Sequence, residues 1–179
     1  MLGDDTTEQR LRLLQAEFTQ FERRGPGDGR TATRTTSPAP LNLGVLDRIH
    51  AAVHEIEEHT RAADWTRPAG PVPADATRVY DWARQHTAHL DPERQQARET
   101  LICRQGLEHA IAMGDTTVVR KHPCPGCGCW GLMWRPAVQR AACPSRYCTD
   151  DDGLSRSWPL ATLAHHHIAR QLGLKTSAT

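Results

Sequence analysis

A chain of 179 residues with 22 basic and 21 acidic side chains has a net charge near +1, too little to draw it by charge alone onto nucleic acid or a membrane. Apolar residues make up 38% and aromatic residues 5% of the sequence, so this length allows one modest core, or two small units with linkers. No run of about 18 apolar residues is present, which argues against a membrane-spanning helix, and the polar, acidic Met1–Arg10 lacks the apolar stretch of a secretion signal, which points to the cytoplasm.

Residues 1–24 read as an amphipathic helix. Asp5 with Glu8 three positions later makes a capping box, and Leu11, Leu14, Phe18 and Phe21 fall on one face before Gly25-Pro26. Residues 25–40 contain no large apolar side chain, so they read as a linker whose burial is too small to offset the entropy of ordering it. The apolar stripe ahead of that linker is a candidate protein-binding face; folding back onto the core is the alternative.

Residues 41–113 read as a three-helix unit. Leu43, Leu46, Ile49, Val53 and Ile56 recur at helical spacing up to residue 63. A Pro- and Gly-rich break, Arg67–Pro73, precedes a second helical pattern over 74–89 with Val79, Trp82 and Ala83 on one side. Asp91-Pro92 then supplies an N-cap and a proline at the first helical position. The third helix turns Ala97, Leu101, Gln105 or Leu107, and Ile111 inward and ends at Gly114-Asp115.

The pattern changes over 114–150. Thr116-Thr-Val-Val119 is β-prone, and two short strands are expected over Trp130–Arg135 and Val138–Ala142. Within residues 151–179 a final helix is expected from about Pro159, capped by Ser157, to Gln171, followed by a tail. The fold class expected from the whole pattern is mainly α: a helical bundle, a small β unit over 114–150 and a C-terminal helix covering it.

Six cysteines without a secretion signal point to metal ligands or buried thiols rather than disulfides. Cys124-Pro-Gly-Cys127-Gly128 and Cys143-Pro-Ser-Arg-Tyr-Cys148 flank a gap long enough for a hairpin, which would return the second pair to the first. Pro125 sets the first turn, and Gly128 permits the positive φ that lets backbone approach a sulfur. Four thiolates satisfy a single tetrahedral Zn²⁺ and leave no open position for water, which makes the expected ion structural rather than catalytic.

This arrangement resembles the zinc-ribbon superfamily, whose knuckles often read CPxCG. The resemblance covers about residues 118–150 and implies Cys124, Cys127, Cys143 and Cys148 as ligands of one zinc ion. It departs from the usual pattern in the four residues inside the second pair and in the extra Cys129. Cys129 is expected as a spare thiol at the start of the strand; Cys129 or His122 could instead replace one ligand. Cys103 reads as a small buried apolar residue. The order of helices, ribbon and helix also resembles small proteins of actinobacteria and their phages, a resemblance that implies no defined activity.

The histidines offer weaker signals. His54-Glu-Ile-Glu-Glu-His59 has a five-residue spacing, not the four a metalloprotease helix needs to place both rings on one face. His50 and His54 have that spacing but no evident third ligand. His165-His166-His167 point in different directions around a helix and read as surface residues. No nucleophile elbow, phosphate loop or dinucleotide fingerprint is present, so an enzyme is not expected.

Residues 114–149 carry five basic side chains, Arg120, Lys121, Arg135, Arg140 and Arg146, against one acid, Asp115. With Trp130 and Trp134 they form a candidate nucleic-acid-binding surface, arginine for phosphate and aromatics for stacking. Asp150-Asp151-Asp152 would weaken that surface if folded alongside it. The resulting expectation is a regulatory DNA-binding protein; the alternative is an adaptor docking on transcription or replication machinery, as zinc ribbons commonly do.

Overall fold

The computed structural model describes residues 43–173. The helix expected over 1–24, the linker over 25–40 and the end of the C-terminal tail lie outside the described residues.

Within them the chain is mainly α, with a small three-stranded sheet at the cysteine cluster. Helix α1 spans Leu43–Ala63. Its Ile49, Ala52, Ile56 and Thr60 are buried at spacings of three and four, and Thr60 closes the last turn by donating its hydroxyl to the Ile56 carbonyl at 2.7 Å. After the proline-rich break, Asp75 accepts from the Thr77 amide and caps a 3₁₀ turn, Ala76–Arg78. Helix α2, Val79–Thr87, is therefore shorter than the expected 74–89. Helix α3, Pro92–Ala112, starts as expected, with Asp91 accepting from the Arg94 amide at 2.9 Å. It ends at Gly114 (φ 87°), where the Asp115 amide donates back to the Ala110 carbonyl at 2.9 Å.

Helix α3 is the spine shared by two apolar clusters. Ile102, with Leu101 beside it, packs with Ile49, Ile56, Val79, Tyr80, Trp82 and Ala83 of α1 and α2. Further along, Leu107 and Ala110 pack toward the cysteines and the last helix. Between the clusters lies a polar joint. The Tyr80 hydroxyl donates to Gln105 at 2.9 Å, and the Gln105 amide donates to the Ala52 carbonyl at 3.1 Å and to Glu55 at 3.0 Å. Each of these groups is buried or half-buried, so losing one partner would leave an unsatisfied atom, at about 1–3 kcal/mol.

One inward position of α3 was misplaced by periodicity. Ala97 is exposed, and the neighbouring Arg98 is buried instead. The guanidinium is tolerated there because it donates to Thr87 Oγ1 at 2.6 Å and pairs with Glu99 at 2.7 Å.

Residues 116–121 are not a strand. Asp115 accepts from the Thr117 amide and caps a 3₁₀ turn, Thr116–Lys121, which drives Val118 and Val119 into the core. Local capping outweighs the β preference of these valines. Strand β1, Met133–Arg135, and strand β2, Arg140–Ala142, are shorter than expected. Pro136–Val138 turns between them, and Gln139 adopts a left-handed φ of 53° to close the hairpin.

A third strand, β3 (Ser157–Trp158), pairs antiparallel with β2. Ser157 is thus a sheet residue, not a helix cap; Pro159 occupies that position without a side-chain bond. The register aligns Trp134, Ala141 and Trp158 in one row that packs on the core. Met133 and Arg135 point outward, exposed. Helix α4, Leu160–Gln171, follows directly and covers the cysteine end with Leu160 and Leu163.

Candidate metal centre and the basic ribbon surface

Two knuckles bring the sulfurs together. In the first, the Gly128 amide donates to the Cys124 carbonyl and the Cys124 amide to the Cys129 carbonyl, both at 2.8 Å. Gly128 takes a φ of 73°, the left-handed turn its position requires. In the second, the Cys148 amide donates to the Ser145 carbonyl at 3.1 Å. Residues 148–156 then double back: the Asp150 amide meets the Leu154 carbonyl, and the Cys143 amide donates to the Arg156 carbonyl at 2.9 Å. The four-residue spacing of the second pair is thus absorbed by a turn of its own.

The Sγ atoms of Cys124, Cys127, Cys143 and Cys148 all lie within 4.8 Å of one another. Cys124 and Cys148 are 3.8 Å apart, Cys127 and Cys143 3.6 Å. A tetrahedral ion with metal–sulfur bonds of about 2.3 Å needs edges of about 3.8 Å, so these residues fit a metal ion held by four thiolates. Cys124, Cys143 and Cys148 are buried and Cys127 is exposed. Among the described residues no other cluster of His, Cys, Asp or Glu has this geometry.

The thiols differ in acidity. The Cys129 backbone amide, donating toward Cys127, lowers the Cys127 pKa to about 6. Burial raises those of Cys143 and Cys148. Cys129 is raised to about 12, chiefly by its hydrogen bond with Cys143. A coordinated cation would reverse this order at its ligands, since a metal deprotonates a bound thiol.

Cys129 and His122 stand outside the set. Cys129 is half-buried and its Sγ lies 3.2 Å from that of Cys143. It precedes the strand rather than starting it. His122 is buried beside the cluster but turns to the last helix, where its ring meets His167 edge-on at 4.7 Å. Burial, with the neighbouring His167, pushes its pKa down to about 4. The triplet is therefore not uniformly a surface feature: His165 is exposed, His166 and His167 are half-buried. Cys103 is half-buried on α3, remote from the cluster. His50 and His54 border an apolar recess of about 420 Å³ on α1, with Leu46, Ile49 and Val53.

The basic residues divide into two groups. Arg120, Lys121, Arg135 and Arg146 are exposed, and no acidic side chain pairs with them among the described residues. Arg146 lies over the Tyr147 ring at 4.7 Å. Arg140, directly across the ladder from Arg135, is half-buried and engaged: it donates to Ser157 Oγ at 3.0 Å and to the Ser157 carbonyl at 2.8 Å. Trp130 is exposed, whereas Trp134, expected beside it on the surface, lies half-buried against the core. No signal in the sequence marked Ser157 as the partner of Arg140 or Tyr147 as an exposed aromatic.

No protein-family model, no curated protein and no solved structure matches this chain. The likeness to zinc ribbons therefore rests on the cysteine motif and its geometry alone.

Proposed function

We propose that this chain is a regulatory protein in which one structural zinc ion pins a ribbon that contacts nucleic acid, DNA in the first place, through its outer surface. Zinc is the ion that a closed set of four thiolates suits best. Such a set leaves no position for substrate or water, so the reading gives the site no enzymatic role.

One observation carries the nucleic-acid part. Arg135 and Arg140 face each other across the β1–β2 ladder, a like-charge pair that a sheet normally avoids. Arg120, Lys121 and Arg146 add exposed charge without acidic neutralisation. In the helical part, Arg61, Arg84, Arg94, Arg98 and Arg104 are paired with carboxylates. Phosphate would supply the missing counter-charge, and exposed Trp130 and Tyr147 offer faces for stacking.

Zinc-loaded protein titrated against labelled duplex and single-stranded DNA tests this reading. Binding should weaken tenfold or more between about 50 and about 200 mM salt, and Arg135→Ala should weaken it further. No binding at low salt would refute it. The second reading, a protein adaptor, draws on Met133 at the start of β1 and Val138 in the β1–β2 turn, both exposed. It predicts a co-purifying protein that is lost when residues 1–24 are deleted.

A further inference from the structure

We propose that Cys129 and Cys143 form an oxidant-sensitive pair, in which a peroxide-class oxidant joins the two sulfurs and withdraws Cys143 from the metal-binding set. The inference rests on the zinc reading above and adds a regulation to that site.

The five clustered sulfurs are one more than a tetrahedral ion can bind. The four of the set stand at separations that suit edges of a tetrahedron. Cys129 Sγ, outside that set, lies 3.2 Å from Cys143 Sγ, closer than either paired distance within it. A disulfide bond is about 2 Å long, so closing this gap takes a movement of about 1 Å. Both cysteines are anchored by backbone hydrogen bonds, Cys129 accepting at its carbonyl from the Cys124 amide and Cys143 donating from its amide to the Arg156 carbonyl. Cys129 is only half-buried, so a small oxidant can reach the pair. A bound ion would hold the other sulfurs apart from one another while leaving Cys129 free.

The chemistry balances with hydrogen peroxide as the oxidant. The half-buried Cys129 sulfur attacks one peroxide oxygen, the O–O bond breaks, and the departing hydroxide leaves as water with the Cys129 proton. The Cys143 sulfur then attacks the resulting sulfenic sulfur. The S–S bond forms, the S–O bond breaks, and the second hydroxide takes a proton from Cys143 or solvent and leaves as water. Two electrons pass from the two sulfurs to the peroxide. Cys124, Cys127 and Cys148 remain, one ligand short of a closed structural site. A thiol reductant reverses the bond by exchange.

The test uses full-length, reduced, zinc-loaded protein. Hydrogen peroxide is added, released zinc is followed with a chromogenic chelator, and the oxidised chain is mapped by mass spectrometry without reductant. The expected result is a Cys129–Cys143 cross-link that appears together with the zinc. Cys129→Ser should release zinc about tenfold more slowly, and dithiothreitol should restore zinc uptake in the wild type. A dominant cross-link within the four-cysteine set, or equally fast release from Cys129→Ser, would overturn the proposal. Cys129→Ala replaces the serine variant if that variant takes up no zinc, and the wild-type map decides the cross-link in either case. A reduced wild type that binds no zinc would refute the metal reading itself, a distinguishable outcome.

Discussion

The buried ring of His122 meets the ring of His167 edge-on, with centroids 4.7 Å apart. This contact ties the segment just before the first knuckle to the middle of α4. Aromatic pairs of this geometry contribute about 0.5–1.5 kcal/mol beyond the area they bury. His167→Ala should therefore lower stability by about 1 kcal/mol, whereas the exposed His165→Ala should change it by less than about 0.5 kcal/mol. Urea unfolding of both variants checks the contrast.

Metal removal should act on one half of the molecule first. Cys124, Cys143 and Cys148 belong to the apolar cluster that includes Leu107, Leu160 and Leu163. Thiolate zinc sites bind with about 10–16 kcal/mol in isolated fingers, more than a three-stranded sheet of this size gains by packing. A chelator should raise amide exchange over residues 124–158, while α1 and α2, in the other cluster, stay protected. Uniform loss of protection along the chain would contradict this.

Arg135 and Arg140 should separate by their readouts. Arg140 holds β3 to β2 through two bonds to Ser157, so Arg140→Ala should cost about 1 kcal/mol of stability. Arg135 is exposed and holds nothing of the kind, so Arg135→Ala should leave stability within about 0.5 kcal/mol. Thermal melts beside the DNA titrations compare the two.

Gly126 allows little room for a side chain. A Cβ there would stand 3.1 Å from Trp158 Cζ2 and 3.5 Å from Cys148 Sγ. The Trp158 ring, in β3, would have to give way slightly, while Cys148 stays at ordinary contact distance. Gly126→Ala is expected to cost about 1 kcal/mol and to weaken zinc uptake, measured by competition with a chelator of known affinity.

His59 should contribute a pH dependence. Burial, aided by the charge of Arg98, lowers its pKa from the ordinary 6.5. Its Nε2 is buried without a hydrogen-bond partner. Between the lowered folded value and 6.5 the unfolded chain binds more protons than the folded one, so stability rises with pH across that window. The contribution is complete above it and is lost as pH falls through it. Melting temperatures of the wild type should drop between about pH 7 and about pH 5, and His59→Leu should flatten the slope.

Much of the fold was legible in local pattern. The helices at Leu43–Ala63 and Pro92–Ala112 follow from apolar spacing and from the Asp91-Pro92 and Gly114 signals, because a helix repeats within a few residues. The short elements were not. Val118 and Val119 carry β preference, yet a cap from Asp115 decides their turn. Strand β3 has two residues, too few for any periodicity to register.

At the candidate site, the sequence pointed to the four sulfurs through a CPxCG knuckle and a returning second pair, with Cys129 or His122 left as alternatives; the structure groups Cys124, Cys127, Cys143 and Cys148. Tertiary structure alone decided the rest: that Cys129 abuts Cys143, that His122 turns to His167, and that Arg140 serves the sheet while Arg135 faces solvent. Each of those depends on residues 14 or more positions apart meeting through the packing of α3, α4 and the sheet. Chain spacing carries no information about such meetings, since they are selected by which buried surfaces fit together.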